Sequence, residues 1–332
     1  MIKLKKKNVS AEMVAKKANV SQSTVSRVFT PGKSVSEETK QKVLKVANEL
    51  NYKPNALARG LITNKSKLIG LAMKDKQNPF YHEVLALFTQ KLKQFGYSVL
   101  FVYTENEEIQ QEEINQFIEY NVEAIIITDA VLSSDLVKKL KSSSIPVILF
   151  NRYDESLNCN SVSSDNIYAA RSVAEYFYKQ GYKHNLYVSG IYNTSTNRDR
   201  LQGFKQYFSE RNQDIDMVEG DFTFETAYKS TLKYLKDGNR PQGIFGANDI
   251  TALGALEAVK KMNIEVPNEI EVIGFDDIRM ASWPNHQLST WSQPLNNMIE
   301  ETIEILLKDN FDEIEQRKLK GKFKFRKTTK TI

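Results

Sequence analysis

Cysteine is almost missing from this chain: Cys159 stands alone among 332 residues, so no internal disulfide can form. The three histidines, His82, His184 and His286, lie far apart and lack the spacing of a structural zinc site. No stretch approaches the ~18 unbroken apolar residues that a membrane-spanning helix needs. The basic start, residues 1–7, runs into polar helix rather than the apolar core of an export signal, and the expected location is the cytoplasm. Also missing are a Gly-x-Gly-x-x-Gly turn after a strand, a phosphate loop ending in Gly-Lys-Ser/Thr, and a Gly-x-Ser-x-Gly elbow. These absences argue against an enzyme and imply no catalytic residues, no cofactor and no metal.

What is present is charge in one place. The whole chain carries +5, but residues 1–63 hold eleven lysines and two arginines against four glutamates, a net of +9, and the rest is mildly acidic. A basic head on a neutral or acidic body fits a nucleic-acid module joined to a regulatory domain, and from charge alone it fits a solvated basic face equally well.

The local pattern separates these readings. Ser10 is placed to cap a helix whose apolar positions Val14, Ala15 and Ala18 recur at helical spacing, and Asn19, tolerant of the left-handed conformation, ends it. Ser21 caps a second helix with Val25 and Val28 on one face and Gln22, Ser23, Ser26 and Arg27 on the other. After Pro31-Gly32, Ser36 with Glu37 and Glu38 opens a third helix, whose core stripe is expected to be Val43, Leu44, Ala47 and Leu50. This is a helix-turn-helix over residues 1–50. Its second helix would enter the major groove, with Gln22, Ser23 and Arg27 reading base edges and Ser21, Thr24 and Ser26 holding phosphates.

Val20-Ser21, Thr24-Val25-Ser26-Arg27-Val28, Val35-Ser36-Glu37-Glu38-Thr39 and Asn51-Tyr52-Lys53-Pro54-Asn55-Ala56-Leu57-Ala58-Arg59 resemble the head of the lactose-repressor (LacI/GalR) family. Two positions depart from its pattern: Met13, where an aspartate is usual, and Asn19, where glycine is common. The resemblance implies that residues 51–63 form a hinge segment that becomes helical on DNA, with Asn55 and Ala58 at the duplex and Leu61 wedged into a base step. A nine-residue helix containing Gly60 is too short to be stable alone, Gly costing ~1 kcal/mol against alanine.

From residue 64 short apolar runs alternate with amphipathic stretches. Strands are expected at 68–73, 98–103, 124–128, 146–150, 185–188, 243–246 and 271–275, and helices begin near Asn166, Asn197, Thr223 and Asp249. This is an α/β body of two parallel, doubly wound sheets in tandem, with a cleft at the carboxyl ends of the strands. Asn78-Pro79-Phe80-Tyr81, Arg200-Leu201-Gln202-Gly203-Phe204, Gly220-Asp221-Phe222, Ala247-Asn248-Asp249, Gly274-Phe275-Asp276-Asp277 and Gln293-Pro294-Leu295 extend the resemblance to the family's effector domain and, more remotely, to periplasmic sugar-binding proteins. One lobe is expected over residues 64–164 plus 294–320, and the other over 165–293 plus a C-terminal strand.

The resemblance implies an effector site in that cleft. Arg200 and Asp276 supply a charged donor fork and an acceptor, Asn248 supplies both kinds of group, and Phe222 is an aromatic wall faced by Phe80. Asn151, Arg152 and Asp165 follow strands and stand at the cleft edge. Arg198 suits either an acidic ligand or a solvent-facing ion pair. Asp249 reads as a helix cap. The expected function is a ligand-responsive repressor of sugar or related carbon-source genes that binds a near-palindromic double-stranded operator as a homodimer, associated with the nucleoid and not with membrane. The dimer follows from a C-terminal strand-like pattern, Gly321-Lys322-Phe323-Lys324-Phe325-Arg326, where the family's tetramers carry a leucine-heptad helix. The alternative is a carbohydrate-binding protein of the periplasmic type without gene regulation.

Overall fold

The computed structural model describes residues 9–29, 32–53, 65–74, 78–106, 108–129, 132–308, 311 and 313–330. It falls into two units, Met1–Ser66 and Lys67–Ile332.

The first unit is built from α1 (Ala11–Ala18), α2 (Gln22–Val28) and α3 (Glu37–Glu49). Each helix starts where a serine hydroxyl accepts a backbone N–H two residues into it: Ser10 from Met13, Ser21 from Thr24, and Ser36 from Thr39. Asn19 closes α1 with φ 51°, the left-handed conformation that a short polar side chain tolerates. The core is small: Val14, Ala15, Ala18, Val25, Val43, Val46 and Ala47 are buried, and Val28 and Leu50 pack at its margin. On α3 the buried residue is Val46, not the expected Leu44, which is only half-buried. The face defined by Val43 and Ala47 extends through position 46, about one turn beyond Val43 and adjacent to Ala47, and leaves position 44 to the side. Lys17 and Glu49, 2.8 Å apart, tie α1 to α3 at the surface.

The second unit holds two six-stranded sheets. The first has the order β11-β5-β4-β3-β1-β2, formed by β1 (Leu68–Met73), β2 (Ser98–Tyr103), β3 (Ala124–Ile127), β4 (Val147–Phe150), β5 (Asn160–Ser164) and β11 (Gln316–Leu319). All its neighbours run parallel. The second has the order β12-β10-β9-β8-β6-β7, formed by β6 (Asn185–Ser189), β7 (Asp216–Glu219), β8 (Gly243–Gly246), β9 (Glu271–Asp276), β10 (Ser289–Ser292) and β12 (Lys322–Lys324). Only β12 runs antiparallel, pairing Phe323 with Trp291. The chain therefore passes between the sheets three times, after β5, after β10 and between β11 and β12. The central strands β3, β4 and β8 are buried along their whole length, as parallel strands covered by helices on both faces must be.

Helices fill the crossovers. Pro79–Gln94 begins with Asn78 as cap and proline at its first position, where a missing N–H costs nothing. Ser195–Ser209 begins two residues before the expected Asn197 because Thr194 supplies the capping hydroxyl. Cys159 is buried and free. Among the described residues no helix is long and apolar enough to cross a membrane.

Candidate functional site

In the first unit, α2 turns the expected polar residues outward. Ser21, Gln22, Ser23 and Arg27 are exposed, Thr24 and Ser26 half-buried, and Val25 turns into the core. The Ser21 hydroxyl is heavily used: besides capping α2, it shares hydrogen bonds with Ser23 Oγ at 2.7 Å and Thr24 Oγ1 at 2.8 Å. This network fixes the amino end of α2, the end that a helix-turn-helix directs at base edges. Asn55, Ala58 and Leu61 lie outside the described residues.

In the second unit a cavity of about 440 Å³ opens between the two sheets. It is lined by the segments that follow the strands: Lys74 after β1, Tyr103 ending β2, Asp129 after β3, Asn151 and Arg152 after β4, Ile191 after β6, Asp221 and Phe222 after β7, Asn248 after β8, and Asp276 ending β9. The crevice at the carboxyl edge of a parallel sheet is where such folds bind ligands, because the loops there converge and helix amino ends face inward. Four of these residues carry positive φ: Asn151 (65°), Asp221 (51°), Phe222 (55°) and Asp276 (120°). For Phe222 in particular the conformation is costly, and strain of this kind collects at ligand sites. Gly190 makes room for it, since a Cβ there would lie 2.1 Å from the Phe222 ring.

Arg200 is the structural centre of the wall. Its side chain is 2% exposed, Nε donates to Asn166 Oδ1 at 2.8 Å, Nη1 donates to the Ala247 carbonyl at 2.5 Å, and Nη2 stands 3.8 Å from Asp276 Oδ1. The guanidinium also stacks 3.5 Å over the Phe275 ring. Burial pulls the Arg200 guanidinium below its ordinary value, and the neighbouring Asp276 carboxylate opposes that shift. Asp276 also accepts from Gln293 Nε2 at 2.7 Å.

Asn248, rather than the expected Asp249, caps the following helix, Asp249–Lys261, by accepting the Thr251 N–H at 2.8 Å. Asp249 is wholly buried behind the wall. It accepts from Thr290 Oγ1 at 2.6 Å and from the Ile278 N–H at 2.8 Å, and burial, reinforced by the Asp276 charge, raises its carboxyl well above the usual range. Gly274 allows this packing, because a Cβ there would approach Asp249 Oδ1 to 2.2 Å.

Arg152, Asn151, Arg200, Phe222, Asn248 and Asp276 thus share one cavity. Phe80, Asp165 and Arg198 do not line it. Phe80 belongs to the apolar core and packs edge-on against Tyr81, which takes the wall position instead. The Asp165 carboxylate caps the helix Asn166–Lys179 through the Tyr168 N–H at 3.1 Å. Arg198 is an ion-pair residue: it stands 3.3 Å from Asp199 and donates to the Tyr153 hydroxyl at 3.1 Å. Sequence reasoning missed Lys74, Asn78, Tyr81, Tyr103, Asp129, Ile191, Thr196, Asp221 and Thr223, of which Lys74, Asp129, Ile191 and Asp221 lie within two residues of a strand end and could have been found there.

Residues 12–55 match the family described as bacterial regulatory proteins, lacI family, and residues 69–281 match the periplasmic binding protein domain. The chain is 30% identical to catabolite control protein A of Priestia megaterium, over 87% of this chain and 88% of the relative. It is 31% identical to the ribose operon repressor of Halalkalibacterium halodurans, over 89% and 88%. Among solved structures it superposes on the lac repressor dimer bound to operator and the anti-inducer ONPF with a TM-score of 0.88 and 25% identity, covering 98% of this chain and all of that one.

Proposed function

The chain belongs to the lacI family of bacterial regulatory proteins, and from that premise we propose that it represses carbon-source genes by binding a near-palindromic operator as a homodimer, under control of a small polar effector, a sugar or sugar derivative. Its place is the cytoplasm, on nucleoid DNA. The observation that carries the proposal is the pairing, in one chain, of an exposed polar face on α2 with a cavity walled by Arg200, Asp276, Asn248 and the strained Phe222.

Each wall residue suits a polyhydroxylated ligand. Asn248, Thr196 and Thr223 offer hydroxyl and amide groups, Asp221 and Asp276 accept from sugar hydroxyls, and Phe222 and Tyr103 offer ring faces for C–H groups. Ligand influences DNA only through its different affinity for the operator-competent and operator-incompetent arrangements of the two sheets. Three chain crossings join those sheets, which allows them to close as near-rigid halves.

The test is a fluorescence anisotropy titration of a labelled operator held at half-saturation by the full chain, against a panel of sugars and sugar derivatives. A shift of operator affinity by one compound, at least about 5-fold in either direction, supports the proposal, since allosteric couplings usually amount to 5–150-fold. A cavity-binding compound that leaves operator affinity unchanged would overturn it.

A further inference from the structure

Among the described residues, one cation of the cavity wall keeps two buried donors with no hydrogen-bond partner. Arg200 spends Nε, Nη1 and its ring-facing surface on Asn166, Ala247 and Phe275. Arg198, the other guanidinium on that helix, is engaged by Asp199 and Tyr153 away from the cavity. Arg152 differs from both: it lines the cavity, and its Nε and Nη1 are buried with no hydrogen-bond partner. Asp129, Asp221 and Asp276 line the same space. Asp129 accepts the Lys74 N–H at 2.7 Å and Asp276 accepts from Gln293 Nε2 at 2.7 Å.

Next to Arg152 stands an unsatisfied acceptor. The Asn151 carboxamide donates to the Tyr81 hydroxyl at 3.3 Å, but its Oδ1 is buried without a hydrogen bond. Consecutive residues at the end of β4 therefore leave two donors of a guanidinium and one amide oxygen unmet in the wall of a cavity. Leaving such groups unpaired is costly, and folded proteins keep them so where water, an ion or a ligand completes them. A planar guanidinium fork fits the paired oxygens of a phosphate or carboxylate, and an amide oxygen fits a hydroxyl donor.

We propose that the effector bears an anionic group, phosphate or carboxylate, beside a hydroxyl, and that Arg152 and Asn151 receive this pair of groups. The proposal rests on the reading of the cavity as the effector site and narrows the ligand class to sugar phosphates or sugar acids. The cavity volume of about 440 Å³ accommodates a substituted monosaccharide.

The experiment is calorimetric titration of the full-length protein with matched probes: glucose against glucose 6-phosphate, ribose against ribose 5-phosphate, and galactose against galacturonate. At least one anionic member is expected to bind about 10-fold or more tightly than its neutral parent, and the phosphate and carboxylate arms identify which anion is read. The substitution R152Q is expected to bring that ratio below about 2-fold. Should the variant fold poorly, the wild-type ratio at low and high salt carries the test, because anion binding weakens with salt and binding of the parent does not. Neutral parents binding as tightly as their anions, or an R152Q ratio equal to wild type, overturns this inference and leaves the effector reading standing. Failure of every probe to bind overturns both.

Discussion

The Arg200 guanidinium and the Asp276 carboxylate stand 3.8 Å apart with both side chains almost wholly out of water. Removing one member of such a pair strands the other, which is why replacement is costly even where the intact pair adds little net stability. Arg200→Met also deprives Asn166 and the Ala247 carbonyl of a donor. Urea denaturation should show a loss of about 3–5 kcal/mol. A loss under 1 kcal/mol would mean that the cavity wall re-forms without its central cation.

Gly190 and Phe222 form a second such relationship. A methyl group at position 190 would lie 2.1 Å from the ring, so Gly190→Ala must displace the Phe222 side chain from its wall. Effector affinity, measured by titration once a ligand is in hand, should fall about 10-fold, the equivalent of 1.4 kcal/mol, while operator affinity without effector should change far less. Equal losses of both would show that Phe222 supports the fold of the unit and not the ligand.

Asp249 gives a pH signature. Its carboxyl is raised in the folded protein, so the native state holds the proton more tightly than the unfolded chain does. Its contribution is therefore fully present below the unfolded value of about 4 and is lost as pH climbs from there toward the folded value. Asp249→Asn removes this titration. The stability of the variant relative to wild type should rise between pH 4 and pH 7, whatever the constant cost of a carboxamide beside Thr290 and the Ile278 N–H. Parallel stability curves in urea across that range would contradict the assignment.

Arg27 is exposed near the end of α2, with Ser21, Ser23 and Thr24 bonded together at the start. If Arg27 reads a base, Arg27→Ala should cost ~1–3 kcal/mol on the selected operator and relax preference at one base pair, with little loss on scrambled DNA. Equal loss on both duplexes would make it a phosphate contact.

The three helices of the first unit are legible in sequence because their signals are local: Ser10, Ser21 and Ser36 each announce a helix start, and Asn19 a stop. In the second unit the apolar strands were legible, but β5 (Asn160–Ser164) and β10 (Ser289–Ser292) were not. Their serines and threonines look like loop, yet most are buried, and in β10 partners distant in sequence satisfy them, Thr290 with Asp249 and Ser289 with Thr329. The cavity was legible where chemistry and position coincided, at Arg200, Asn248 and Asp276. Phe80 and Asp165 turn away from it, where one helical step or one capping bond decides which way a side chain points, and Arg198 takes the ion pair, one of the two readings its position allowed. Neighbouring positions such as Phe80 and Tyr81 exchange roles through the phase of a single helix, and spacing alone does not set that phase.

The account turns on whether the chain reads sequence. Selection of bound duplexes from a random pool by the full-length protein, followed by sequencing of the survivors, tests this most directly. The account predicts a near-palindromic motif of two half-sites, matching the two-fold symmetry of a dimer. Recovery of no motif, with binding that only weakens uniformly as salt rises, would contradict it and reduce the basic head to a nonspecific polyanion contact.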